Sequence, residues 1–493
     1  MIRQLKSLAL GLGFSVIAAC SLQAQNELSS FTSTGRGVAS PFVTDYHALG
    51  INPSNLNWSP EYDGKRVTFG FAEVAGSLYS EALVKEDLRK NLFGGGFETL
   101  NREEKLDMIK EFTDAGNAVD LSYMWAGAAV NTEKLGGFSY TTRDNIQFSS
   151  RLSEDLATMM YLGGTAPYFE QLILSTGDTI ANVDGLSQDT LDLVQKGITS
   201  LANAQSLSDL LGDTEISLSW VREYHFGYGK RIWDTDNIQI FVGVGAKYIV
   251  GQGMARVGKN ADGEIEAFSA LSPVFNVDYG DGALSNPSSL PEGAGRLEPV
   301  GQGYGFDIGA SVIIKEKLRV GVSITDIGRM KWDGNAYTLE DFDVTELTDQ
   351  GVDGNGIIEQ IQTFTDPDGL LAWSGEAELK TKLPAKARVG ARLDVHDKLR
   401  VGFEGVFAVN QEIGQLEKPI LSVGGDFTPI PWVRLSAGVI QGGNYDLKVP
   451  AGLTLIVAKG TWEIGVASRD VITFFTKNQP TLSASFGFLR FRV

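Results

Sequence analysis

The sequence predicts an all-β fold, an antiparallel transmembrane barrel of about fourteen strands. Three observations predict it: period-two alternation in segment after segment, long connections alternating with short ones, and an export-type N-terminus. Alternation matters because a barrel strand turns successive side chains to lipid and to lumen. Over Lys386–His396, one face carries Lys386, Arg388, Arg392 and Asp394, and the other Ala387, Val389, Ala391, Leu393 and Val395. After a turn at Asp397 the pattern returns, with Leu399, Val401, Phe403 and Phe407 opposite Arg400 and Glu404. Tyr304, Phe306, Ile308, Val312 and Ile314 likewise stand opposite Gly305, Asp307, Gly309 and Ser311.

In order, the strands are expected at 66–76, 118–130, 137–150, 215–229, 238–250, 303–314, 318–327, 386–396, 398–409, 418–428, 432–441, 449–458, 461–470 and 481–492. Most are long enough to cross a bilayer at a tilt. Odd-to-even connections include four large ones, at 77–117, 151–214, 251–302 and 328–385. Even-to-odd links are brief, such as Pro429-Ile430-Pro431 and Lys459-Gly460. Bacterial barrels place short turns on the periplasmic side and long loops outside. The aromatic-rich final strand, ending at Val493, is expected to close onto the first.

Arg3 and Lys6 precede an apolar stretch from Ser7 to Ala19 and then small residues, the layout of a signal peptide over 1–24. Ile17-Ala18-Ala19-Cys20 offers the alternative of lipoprotein processing at Cys20, the chain's one cysteine. With 42 basic and 61 acidic residues the net charge is −19, which argues against nucleic acid as a partner. The expected location is the outer membrane of a Gram-negative bacterium, with outer-membrane lipid as the surroundings.

Segment 25–60 is rich in Gly, Ser, Pro and Asn and lacks alternation, so it is read as a hatch or plug ahead of a barrel over 61–493. Lumen charges are expected at Arg319, Arg388, Arg392, Arg400, Arg434, Asp307, Asp394, Glu404 and Asp426, which pair with one another or with the plug, or else line a channel. The large loops carry helical patterns over Leu100–Phe112, with Leu106, Ile109 and Phe112 on one stripe and Asn101 as cap. Further helices are expected over Glu154–Glu170 and Ser187–Leu211.

Catalytic signatures are missing: there is no G-x-S-x-G, H-E-x-x-H or Walker loop, and the chain is read as no enzyme. Ser219, Glu223 and His225 share one strand face and read as a hydrogen-bonded lumen cluster. Asp349–Gln360 misaligns with a calcium loop and reads as a glycine-rich turn, so no metal or cofactor is expected.

Gly35-Arg36-Gly37-Val38-Ala39, then Asp45, Ala48 and Asn52-Pro53-Ser54-Asn55-Leu56, resemble the N-terminal hatch of FadL-type outer-membrane transporters, with Ser54 where that family has Ala. Leu383-Pro384, Arg388-Val389-Gly390 and Pro431–Gly438 are also similar. The resemblance implies a fourteen-stranded barrel whose hatch includes Gly35, Gly37, Asp45, Asn52, Pro53 and Leu56. It also implies a hydrophobic small molecule as the thing admitted or bound. The same superfamily includes PorV-type barrels, which implies the alternative of a barrel binding envelope or secretion proteins without transport.

Overall fold

The computed structural model describes residues 30–62, 64–80, 102–260, 262–277, 279, 286–291, 296–348, 351, 373–410, 412, 415–416, 418–443, 445–475 and 481–493. The signal peptide, Cys20, the Asn101 cap and most of the 349–360 turn lie outside these residues.

Fourteen strands form the barrel: β1 Val67–Ser80, β2 Asn117–Thr132, β3 Gly136–Arg151, β4 Glu215–Asp234, β5 Ile238–Val257, β6 Gly301–Ile314 and β7 Leu318–Trp332. They continue as β8 Lys386–His396, β9 Leu399–Ala408, β10 Ile420–Ile430, β11 Val433–Gly442, β12 Ala451–Val457, β13 Trp462–Ser468 and β14 Thr481–Arg492. Neighbours pair antiparallel throughout, and β1 pairs with both β2 (Val67 opposite Val130) and β14 (Thr68 opposite Arg492), which closes the sheet and leaves it without an edge. The alternation sorts the faces. Phe306, Val322, Phe403, Val423 and Phe488 are exposed on the outside, while Asp307, Ser323, Glu404 and Ser422 are buried. Among the described residues no helix is long and apolar enough to cross a membrane.

β5 runs past the start of β6, and its end pairs with Phe268–Leu271. That short strand pairs with Ala336–Leu339, which pairs in turn with Trp373–Gly375, so the wall rises into the loop region. Over the mouth the loops fold into a cap with its own core, including Leu156, Met159, Tyr161, Phe169, Leu210, Tyr337 and Leu347.

All three helices expected in the loops differ from the sequence reading. α1 is the lumen helix Phe31–Arg36, and α2, Arg102–Phe112, buries Lys105, Ile109 and Phe112, while Leu106 faces out at 39% exposure. α3 spans Glu154–Leu162, with the Ser153 hydroxyl capping Leu156 N–H, and stops at Gly163 (φ 55°) instead of reaching Glu170. No helix covers Ser187–Leu211. A turn of helix at Gln188–Leu191 is followed by a strand, Val194–Ile198, and then Leu207–Leu211. That strand pairs with Gln171–Leu174, and Gly197 lies so close to Gly164 and Phe169 that a side chain there would collide with both. Tertiary pairing overrides the leucine spacing.

The outward alternation has a measurable consequence. Phe403 lies midway along β9 with 45% of its surface outside the barrel. Phe403→Arg should cost about 2–4 kcal/mol in lipid, measured by denaturant unfolding in vesicles, whereas an unchanged stability would mean this face does not meet hydrocarbon.

Candidate functional site

The lumen is occupied by the chain's own residues 30–62. Each local element there has a sequence cause. Ser30 caps α1 by accepting from Ser33 N–H, and Gly37 ends it in the left-handed region at φ 71°. Asn52 caps the next turn by accepting from Ser54 N–H, with Pro53 at the first position where its missing N–H costs nothing. Tyr46, Asn52 and Ser54 are completely buried.

A segment this close to the wall needs notches, and glycines supply them. Gly465 and Gly487 lie opposite each other on β13 and β14, and any side chain on either would overlap the Phe31 ring. Gly70 and Gly127 are similarly paired beneath Tyr46. Gly424 and Gly438 pair under the Arg36 carbonyl. Four strands carry Gly137, Gly229, Gly243 and Gly309 in direct register, and these receive Leu56, Pro53 and Asn52. Gly35 meets Gly452, where a Cβ would stand 2.8 Å from the opposing Cα. The result is a belt around the inner wall matched to residues 31–56.

Hydrogen bonds and ion pairs fix the segment within that belt. Glu404 accepts from the main-chain N–H of Ala39 (2.6 Å) and Ser40 (3.0 Å). Arg36 donates to Asp426 at 2.9 Å, and Ser54 meets Ser311 at 2.8 Å. Asp45 accepts from Arg490 (2.7 Å). Tyr46 and His47 both reach Glu73, at 2.7 and 2.8 Å. Burial, and then the nearby Arg490, hold the His47 imidazole below its ordinary value. Where the segment leaves the lumen, Glu61 accepts from Arg434 (2.6 Å) and Arg400 (2.8 Å), with Arg492 at 3.8 Å. Burial alone would raise the Glu61 carboxyl, but Arg434, Arg400 and Arg492 outweigh it and hold the group well below the usual range.

The nine expected lumen charges fall into four groups. Arg400, Arg434, Asp426 and Glu404 contact residues 30–62 directly, as above. Arg319 and Arg392 both bond Asp394, at 2.6 and 2.8 Å, and their guanidinium groups also cover the rings of Trp58 and Phe42. Arg388 lies 3.8 Å from Glu404. Asp307 faces Lys247 (3.7 Å) and His225 (3.0 Å) across the strands. Glu223 and His225 belong to one lumen cluster, as read from the sequence, but through partners on other strands: His225 joins Asp307 of β6, Lys247 of β5 stands 3.7 Å from Asp307 and 3.9 Å from Glu223, and Glu223 accepts from Asn145 of β3. Cα atoms two apart on one strand are separated by roughly 6.6 Å, whereas cross-strand neighbours come within about 5.5 Å, which favours the cross-strand partners here. Sequence reading missed Glu61, Glu73, Glu463, Arg490 and Arg492. Inward parity at Glu463, Arg490 and Arg492 was the available signal.

Above the segment, towards the loops, lies a cavity of about 130 Å³ floored by Leu49, Gly50 and Ile51. Ile249, Met254, Met330, Trp332 and Leu383 form an apolar wall, and Arg143, Lys247, Lys386, Arg388, Glu223 and Asp326 also line the cavity.

Two outcomes follow from this packing. Gly465→Val should displace Phe31 and lower unfolding stability by about 1–3 kcal/mol, and adding Phe31→Ala should recover part of the loss; no loss would mean the notch is not needed. Glu61 binds protons less readily folded than unfolded, so its contribution is present above its unfolded value and disappears as pH falls through the folded one. Acid titration of stability should therefore show a decline below about pH 4.5 that is smaller in Glu61→Gln, and identical profiles would count against the pairing.

Solved structures similar to the chain include the Pseudomonas putida toluene transporter TodX, 11% identical with 95% of this chain and 98% of that chain covered (TM-score 0.40). The Ralstonia pickettii toluene transporter TbuX is 10% identical over 94% and 98% (TM-score 0.43). A Pseudomonas aeruginosa FadL homologue is 12% identical over 95% and 97% (TM-score 0.38). Among curated proteins, none matches the sequence. The model of DUF5723, a family of unknown function, matches residues 175–457. That stretch is more than half of the 493 residues, and the chain belongs to the DUF5723 family.

Proposed function

We propose that the chain is an outer-membrane barrel of a Gram-negative bacterium that admits or binds a hydrophobic small molecule, with residues 25–60 as its hatch and no catalytic role. The observation that carries this reading is the cavity resting on Leu49–Ile51, where Ile249, Met254, Met330, Trp332 and Leu383 make a wall for an apolar body. Pockets of this kind bind through apolar lining and are oriented by a few polar groups. At about 130 Å³ the cavity holds only part of a long molecule, so a larger ligand must shift the hatch floor or the Thr381–Arg388 stretch.

A second reading, a partner-binding barrel in a secretion or envelope complex, is favoured by two other observations. The cap has a folded core of its own, and paired charges close the lumen beneath the cavity. Such a barrel would present the cap to other proteins and transport nothing.

Mass spectrometry of the purified barrel separates the two. A retained apolar ligand is expected, with occupancy reduced about tenfold, or 1.4 kcal/mol, in Leu383→Asp, which sets a carboxylate in the apolar wall. A barrel empty of lipid that instead crosslinks to envelope proteins would overturn the first reading and support the second.

A further inference from the structure

We infer that residues 45–62 act as a clasp for barrel closure, so that the last strand, β14, docks onto the first, β1, over a seated N-terminal segment. The inference does not depend on the ligand proposed for the upper cavity. The seam between the two strands is irregular at one level. Phe71 pairs with Leu489 and Val74 with Phe486, and the ladder skips Ala72 and Glu73. Ala72 adopts a left-handed backbone at φ 53°, uncommon for a residue other than glycine. On its other side β14 shifts register against β13, between the Glu463–Arg490 and Gly465–Gly487 pairs, and the successive residues Phe488 and Leu489 are both exposed. Irregularities of this kind re-aim side chains, and here Glu73 and Arg490 are buried beside the segment.

At this level three successive residues of the segment bond both strands. Asp45 accepts from Arg490 of β14 at 2.7 Å and lies 3.5 Å from Arg492. Tyr46 and His47 reach Glu73 of β1 at 2.7 and 2.8 Å. Asp45 turns the chain between the two strands with a left-handed φ of 51°. Further along, Glu61 stands 3.8 Å from Arg492, and Tyr62 donates to Glu463 of β13 at 2.8 Å. Charge makes these contacts matter. Arg490 and Arg492 are buried, and both reach Glu463, at 2.8 and 2.9 Å. Without the segment, two guanidinium groups would share that carboxylate, and Glu73 would lose its bonds to Tyr46 and His47. Breaking a buried pair from one side leaves an uncompensated charge, which is strongly destabilising. Chain order fits the role. Asp45 and Arg490 are 445 residues apart, and ends so distant cost entropy to bring together. The segment leads directly into β1, so whatever binds it is delivered to β1. An unclasped barrel would instead present two open strand edges.

Cysteine pairs read closure directly. Ala75 and Ser485 oppose each other across the seam, and Val242 and Ala310 oppose each other on β5 and β6, which makes the second pair a control. The full-length protein is refolded into vesicles, and inserted barrels are identified by heat-modifiable migration. Both pairs, Ala75→Cys/Ser485→Cys and Val242→Cys/Ala310→Cys, should oxidise in the otherwise unchanged chain. Asp45→Asn/Glu61→Gln should lower the yield of the seam disulfide about tenfold and leave the control pair as it was. Glu404→Gln, which loosens the segment from β9 at Ala39 and Ser40, should leave both pairs unchanged. A seam that oxidises fully in Asp45→Asn/Glu61→Gln would overturn the inference. So would an equal loss at seam and control, or an equal loss at the seam in Glu404→Gln, since either would mean general loosening. If the double variant gives no inserted barrel, the single changes decide in the same way, each expected to lower the seam yield more than the control.

Discussion

Direct contact between residues 31–56 and glycines of the inner wall is the constraint on which the rest of the structure depends. A closed sheet of fourteen strands encloses more space than its own inward side chains can fill. Here that space is taken by the chain's N-terminal segment, and it fits because paired glycines let its backbone and rings approach the strands. Phe31 lies on Gly465 and Gly487, Tyr46 on Gly70 and Gly127, and the Arg36 carbonyl on Gly424 and Gly438. The belt crosses strand after strand at matched register, so the wall and the segment are shaped for each other.

Electrostatics then fixes what shape allows. Taking charges out of water is costly unless they are paired and hydrogen-bonded, and the lumen follows that rule. Glu404 is held by two main-chain N–H groups, Asp426 by Arg36 and Ser436, and Glu61 by arginines of β9 and β11. These contacts join residues far apart in sequence, so the segment and the barrel stabilise one another. The same groups leave a cationic lining beside the segment, and the upper cavity combines that lining with an apolar wall.

Much of this fold is legible in the sequence, for a physical reason. Period-two alternation reports which way a side chain points, and that alone locates the strands and turns Arg388, Glu404 and Asp426 inward. What alternation does not report is partnership. Whether Arg400 meets Asp394 or Glu61 depends on strand register and on the path of a segment with no periodicity. The glycine belt is not legible from hydropathy because glycine carries no hydropathy signal. Its inward parity in β9 to β11, at Gly402, Gly424 and Gly438, was the trace available. The Ser187–Leu211 stretch misled because leucines spaced for a helix also suit a short strand and a turn packed under a cap.

The most direct test of the account asks whether residues 31–58 occupy the belt in the membrane-inserted protein. Ser54 and Ser311 meet at 2.8 Å between hydroxyls, one on the segment and one on β6. With Cys20 the chain's one cysteine, a Ser54→Cys/Ser311→Cys variant offers a selective crosslink. The account predicts a disulfide under mild oxidation, in a barrel that still migrates as folded. Free thiols at both positions in folded, inserted protein would contradict it.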